Sequence, residues 1–279
     1  MTTFPNLLRS ELFLLRKRSA TWVIFGIWMV VTCLFAYILP YWSMRTGSTA
    51  FADTLDSMLP SQLARTIGQG TPFYGGALAL ILGVLVLGSE YGWNTWKTLL
   101  TQQPARLPIF FAKLAALGVA MVGFVVGAFV AGAACSMVIA RLEGVVITFP
   151  SVLTLVDAML SSWLILSVWA TGGVALAMLT RGTSLAIGIG ILWGLALEGL
   201  LGAFVSQIDS LSGLTDFMIR ANGYSLIRAV NGGADLTADG PGGFGGPFVS
   251  GPQALMVLGL YLVTFVGLSA WLLRRRDIA

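Results

Sequence analysis

Polar residues in this chain come in bunches, and the windows between the bunches are almost free of charge. Residues 19–44, 66–89, 114–140, 158–180 and 240–273 contain no Asp, Glu, Lys or Arg, and residues 182–208 contain only Glu198. A helix rising about 1.5 Å per residue needs about 20 apolar residues to cross a hydrocarbon layer of roughly 30 Å. Helices in the core of a water-soluble protein keep a solvated face and rarely run this long without one. The pattern therefore predicts an all-α integral membrane protein with six transmembrane helices, near 21–40, 71–88, 114–140, 158–180, 183–205 and 253–273. Together they make one transmembrane domain over residues 1–279. The third window exceeds what a bilayer needs, so this helix should tilt or project.

Charge sets an expected orientation. Arg9, Arg16, Lys17 and Arg18 precede the first span, and Arg274, Arg275 and Arg276 follow the last. Lys97, Arg106 and Lys113 lie between the second and third spans, and Arg181 between the fourth and fifth. With six spans all of these fall on one side, leaving Arg45, Arg65, Arg141, Arg220 and Arg228 on the other among most of the acidic residues. The positive-inside rule then puts both termini in the cytoplasm. The first span is too long for the apolar region of a secretory leader and lacks a small-residue cleavage site, so it reads as a retained helix. Residues 206–252 become the longest external connection. Their first part has short runs compatible with helix, and the Gly- and Pro-rich stretch 231–247 cannot hold a regular one.

Two polar segments at the cytoplasmic face have a helical period. In residues 4–18, Leu7, Leu8, Leu12, Leu14 and Leu15 cluster on one half and Asn6, Arg9, Arg16 and Lys17 on the other, as in a helix lying in the membrane interface. Glu11 projects from the apolar half. A lone carboxylate facing lipid is costly, so it should meet a basic group of the protein itself. The second segment follows the second span and reads Ser89-Glu90-Tyr91-Gly92-Trp93-Asn94-Thr95-Trp96-Lys97-Thr98-Leu99-Leu100-Thr101. As a helix it places Trp93, Trp96, Leu99 and Leu100 on one face and Asn94, Thr95, Lys97, Thr98 and Thr101 on the other, and Pro104 ends it. Such an element either lies in the interface or docks a cytosolic partner.

A Ser-Glu-Tyr…Thr-x-x-Thr-Leu-Leu-Thr…Arg run after the second of six spans resembles the ABC-2 family of ABC-transporter permeases. So do Ser10-Glu11-Leu12 in the N-terminal helix and the long external connection before the last span. The resemblance implies that residues 4–18 form an elbow helix. It also implies that Glu90, Tyr91, Trp93, Thr95, Trp96, Thr98 and Arg106 belong to the element that couples to the ATPase. The implied partners are two copies of an ABC ATPase, which would carry the ATP and Mg, and a second copy of this permease or a close homologue. The implied location is a bacterial-type inner membrane, among its lipids.

The chain itself offers no catalytic chemistry. It has no Gly-x-x-x-x-Gly-Lys-Ser/Thr loop to cradle a phosphate, and no histidine for a metal-hydrolase motif or a Ser-His-Asp triad. Cys33 and Cys135 both fall within apolar windows and read as small core residues, and no metal-ligand spacing occurs. No basic groove for nucleic acid is visible.

Within the fifth span Ala186, Gly190, Gly194 and Glu198 recur every fourth residue and share one stripe; Gly123, Gly127 and Ala131 repeat the device in the third. Small residues let helix backbones approach closely. The stripe is compatible with packing inside the chain and with a substrate path or dimer seam; in ABC-2 permeases the route runs between subunits beside the second and fifth spans. Glu198, the one carboxylate well inside a span, should face protein or an aqueous cavity. The expected activity is ATP-driven export of a hydrophobic or amphipathic molecule. A proton-coupled secondary transporter using Glu198 and a non-transporting anchor or regulatory subunit remain as alternatives.

Overall fold

The computed structural model describes residues 4–48, 54–92, 106–205, 213–214, 216–233 and 248–275, with the backbone alone for 91, 92, 106, 195, 202, 203 and 205. Among the described residues every regular element is helical, and six stretches are long and apolar enough to cross a bilayer. α1 (Phe4–Lys17) precedes the first span, which is built from α2 (Ser19–Cys33), a π-helical turn (Leu34–Ile38) and α3 (Leu39–Thr46). Pro40 has no N–H, and its ring displaces the carbonyl four residues back, so the wider turn just before it lets the helix continue.

The second span enters through two short 3₁₀ turns, α4 (Leu63–Gly70) and a π-helical turn (Thr71–Gly75), then continues as α5 (Gly76–Gly92). α6 (Arg106–Leu142) is the third span and α7 (Val152–Thr180) the fourth. The fifth consists of α8 (Thr183–Ile191), a π-helical turn (Leu192–Leu197) and α9 (Glu198–Val205). α10 (Ile219–Val230) lies in the connection before the last span, α11 (Gly251–Arg275). Helices outrun the apolar windows because hydrophobicity marks the embedded stretch, whereas backbone hydrogen bonding continues into polar sequence.

The second span is the centre of the bundle: 67% of its most apolar window is buried, against 17% for the last span. Its closest partner is α7. A Cβ added to Gly83 would stand 1.9 Å from the Ala170 carbonyl oxygen, and one added to Gly173 would stand 2.2 Å from that of Leu80. The two backbones are thus in direct contact, which only glycine at both positions permits. Indole N–H groups tie the other spans together across the apolar interior. Trp28 Nε1 donates to the Phe124 carbonyl at 3.0 Å, joining α2 to α6, and Trp163 Nε1 donates to Gly118, joining α7 to α6. In α6 the side of Gly127 is filled by Phe25 and Met29 of the first span, while Gly123 faces open space.

At the bundle end away from the termini, Tyr41 and Arg45 of α3 both donate to Glu143 Oε1, just past α6, at 2.7 and 2.6 Å. α10 packs into the same end. Gly223 sits on Pro72, Gly68 on Ile227, and Ala229 against Gly251 at the start of α11. Residues 206–212, 215 and 234–247 of the connection lie outside the described residues.

Candidate functional site

Two polar centres interrupt the apolar bundle, one near each end. The first begins with Lys113, seven residues into α6 and 2% exposed. Its ammonium can donate three hydrogen bonds, and three carboxylate oxygens accept them: Glu11 Oε1 at 2.8 Å, Glu11 Oε2 at 2.9 Å and Glu90 Oε1 at 2.5 Å. Glu11 is brought by α1, whose Leu15 is buried and whose Leu8 and Leu12 pack on the core, while Phe13 and Leu14 point outward. Glu90 sits at the end of α5. The three groups therefore bind the N-terminal helix, the end of the second span and the start of the third into one junction. Arg18 lines the same small cleft and donates from Nη1 to the Leu85 carbonyl at 2.9 Å, supplying a second positive charge beside the two carboxylates.

This junction meets the expectation that Glu11 finds a basic partner in its own chain. Of the coupling residues proposed from sequence, Glu90 is in it. Trp93, Thr95, Trp96 and Thr98 lie outside the described residues, as do the side chains of Tyr91 and Arg106. Lys113 was legible only as a charge flanking a span. Its partners are 102 and 23 residues away, a separation no local pattern reports.

The second centre is near the opposite end. Glu198 opens α9 and is 1% exposed. Its Oε1 accepts the backbone N–H of Arg220, at the start of α10, at 2.5 Å. The Arg220 side chain, 1% exposed, donates from Nη1 to the Gly194 carbonyl at 3.1 Å and stacks over Phe73 at 5.0 Å. Burial pulls the Arg220 guanidinium below its ordinary pKa, while Tyr224 and Glu198 oppose that shift. At the π-helical turn the Glu198 N–H donates to the Trp193 carbonyl, five residues back, instead of to that of Gly194. Gly190 is covered by Leu80 and Gly194 by Trp169, so the small faces of this stripe receive side chains of the second and fourth spans. Nothing in the local sequence marks Arg220 as the neighbour of Glu198.

Beside Glu198 lies a cavity of about 540 Å³ walled by α7, the fifth span, α11, Leu80 of α5, and Leu214, Phe217, Met218 and Ile219. Its surface is apolar and mostly aliphatic, with Trp169, Trp193, Phe217 and Phe265 among the lining. Among the described residues no group of three or more His, Cys, Asp or Glu is placed to hold a metal.

Comparison with known proteins agrees with this architecture. No curated protein matches the chain. A family model described as ABC-2 family transporter protein matches residues 7–196 and so covers α1, the first four spans and most of the fifth. The match spans most of the chain and takes in both the Glu11–Lys113–Glu90 junction and the stripe beneath Glu198, and the protein accordingly belongs to the ABC-2 family of membrane transporter proteins.

Proposed function

We propose that this chain is the membrane-spanning permease subunit of an ABC exporter, moving a hydrophobic or amphipathic molecule with ATP hydrolysed on a separate ATPase. Two permease copies, or one and a close homologue, would assemble with two ATPases. The excess of Lys and Arg at the end that carries the termini supports placing that end in the cytoplasm of a bacterial-type inner membrane.

The observation that carries this reading is the buried Glu11–Lys113–Glu90 junction. Residues 91–106 join the second and third spans and begin directly after Glu90, and a partner pressing on them acts first on the end of α5 and the start of α6. Lys113 links these two ends to each other and to α1 through charge-assisted hydrogen bonds in a site nearly closed to water. Such bonds are short and about twice as strong as neutral ones. A displacement of the 91–106 segment is therefore handed to three helices together instead of being absorbed by one. The second span then transmits it inward through its backbone contact with α7 at Gly83 and Gly173.

The test is co-reconstitution with the ATPase. The isolated permease should hydrolyse no ATP. Replacing Trp93 and Trp96 together with Asp should leave the six spans inserted but abolish ATPase co-purification or uncouple hydrolysis from transport. Unchanged co-purification and transport in that variant would overturn the assignment of residues 91–106 as the coupling segment.

A further inference from the structure

The N-terminal helices meet α6 in one register. Glu11 and Lys113 at the end that carries the termini, and Tyr41 and Glu143 at the opposite end, are each joined across 102 positions. The same step sets Phe25 of α2 on Gly127 of α6, where an added Cβ would stand 2.8 Å from the ring. The first and third spans therefore run parallel, and with equal rise per residue they keep this offset along their seam. Midway between Phe25–Gly127 and Tyr41–Glu143, eight residues from each, the offset places Cys33 opposite Cys135. These are the only cysteines of the chain.

Side-chain contact gives the same placement. The two thiols lie within hydrogen-bond reach of each other, and both are free and partly exposed. Cys33 ends α2, just before the π-helical turn. Cys135 lines a groove between the first span and α6 whose walls include Ile38, Trp42, Val138 and Leu142, all exposed on the outside of the bundle. Cys33 is not among the lining residues. A molecule dissolved in the membrane thus meets Cys135, with Cys33 as its neighbour.

We propose that Cys33 and Cys135 are a modification site, at which an organic hydroperoxide of the kind an oxidised lipid carries forms an intrachain disulfide between the first and third spans. The Cys135 sulfur, as thiolate, attacks the terminal peroxide oxygen; the O–O bond breaks, the released alkoxide takes the thiol proton and leaves as an alcohol, and Cys135 becomes a sulfenic acid. The Cys33 sulfur then attacks that of Cys135, and the hydroxyl leaves as water with the Cys33 proton. Two thiols lose two electrons, and the hydroperoxide gains them. The contacts on either side already fix the register, so the bond closes by turning side chains with the helices in place. It acts as a staple: a link across so long a loop restricts the unfolded chain. The proposal rests on the register of this seam and is independent of the permease reading.

The test uses the parent chain in nanodiscs, treated with cumene hydroperoxide at mildly alkaline pH, where more of the reacting thiolate is present. Remaining thiols are blocked with N-ethylmaleimide in SDS, disulfides are reduced, and the released thiols are tagged with maleimide–polyethylene glycol. Each chain should carry two tags or none, because the thiols are consumed as a pair, and mass spectrometry of the unreduced digest should find the Cys33 peptide joined to the Cys135 peptide. Cys33→Ser and Cys135→Ser should each abolish tagging. Ala134→Cys combined with Cys135→Ala moves the thiol about 100° around α6 to an exposed position and should lose the bond. The oxidised parent should need more SDS to unfold than the reduced chain. Survival of both thiols, oxidation of Cys135 to a sulfinic acid with Cys33 untouched, or a disulfide between two chains would overturn the proposal. So would an equal yield from the displaced pair, or unfolding at the same SDS fraction in both states.

Discussion

Replacing Lys113 with Met is the most informative single perturbation of the cytoplasmic-end junction. Methionine matches the aliphatic stem and removes only the ammonium. The two carboxylates left behind are 8% and 5% exposed and face a common point with no cation between them, Arg18 being engaged at Leu85. Removing one partner of a buried ion pair typically costs about 3–5 kcal/mol. We expect the lower part of that range, because Glu11 sits near the bundle end, where protonation or an entering water relieves part of the repulsion. Glu90→Gln is a different case. It leaves Lys113 paired one-to-one with both oxygens of Glu11 and should cost only about 1 kcal/mol, one charge-assisted bond less the repulsion between the two carboxylates. The triple variant Glu11→Gln, Glu90→Gln, Lys113→Met removes the three charges of the ion cluster and should return to within about 1 kcal/mol of the parent, with Arg18 still held at the Leu85 carbonyl. The assay is SDS-induced unfolding in mixed micelles followed by intrinsic fluorescence, for which the chain has nine tryptophans. The reasoning is refuted if Lys113→Met is no less stable than Glu90→Gln, or if the triple variant is as unstable as Lys113→Met.

Further consequences are simpler to read. Gly83→Ala would drive a methyl into the Ala170 carbonyl oxygen, so the second and fourth spans must separate; the variant should lose its monodisperse peak on size exclusion, while Gly188→Ala, whose added methyl meets nothing within 4 Å, should behave as the parent. A normal yield of folded Gly83→Ala protein would rule out the close crossing. Tyr37 is 1% exposed and its hydroxyl has no partner among the described residues, so Tyr37→Phe should leave stability unchanged or raise it by up to about 1 kcal/mol. A clear loss on SDS unfolding would reveal a hydrogen bond to that hydroxyl.

What the sequence determined by itself follows from the bilayer as a solvent. A spanning segment must satisfy its backbone internally and expose apolar side chains, so long charge-free windows state the number and type of the spans whatever the packing. The same physics predicted that Glu11 needs a basic partner and that Glu198 faces protein. Which partners these are was decided only by the tertiary structure. Lys113 reaches Glu11 across 102 positions, and Arg220 reaches Glu198 from a helix in the connection before the last span. Small residues showed a similar limit. The stripes were visible as spacing, yet Gly123 faces open space, while the closest backbone contact is made at Gly83 and Gly173. Hydrophobic periodicity cannot rank such positions, because inside a membrane the lipid-facing and protein-facing sides of a helix are equally apolar. The cavity has the same origin: its walls come from four spans and from Leu214, Phe217, Met218 and Ile219, and it exists only where their side chains fail to meet.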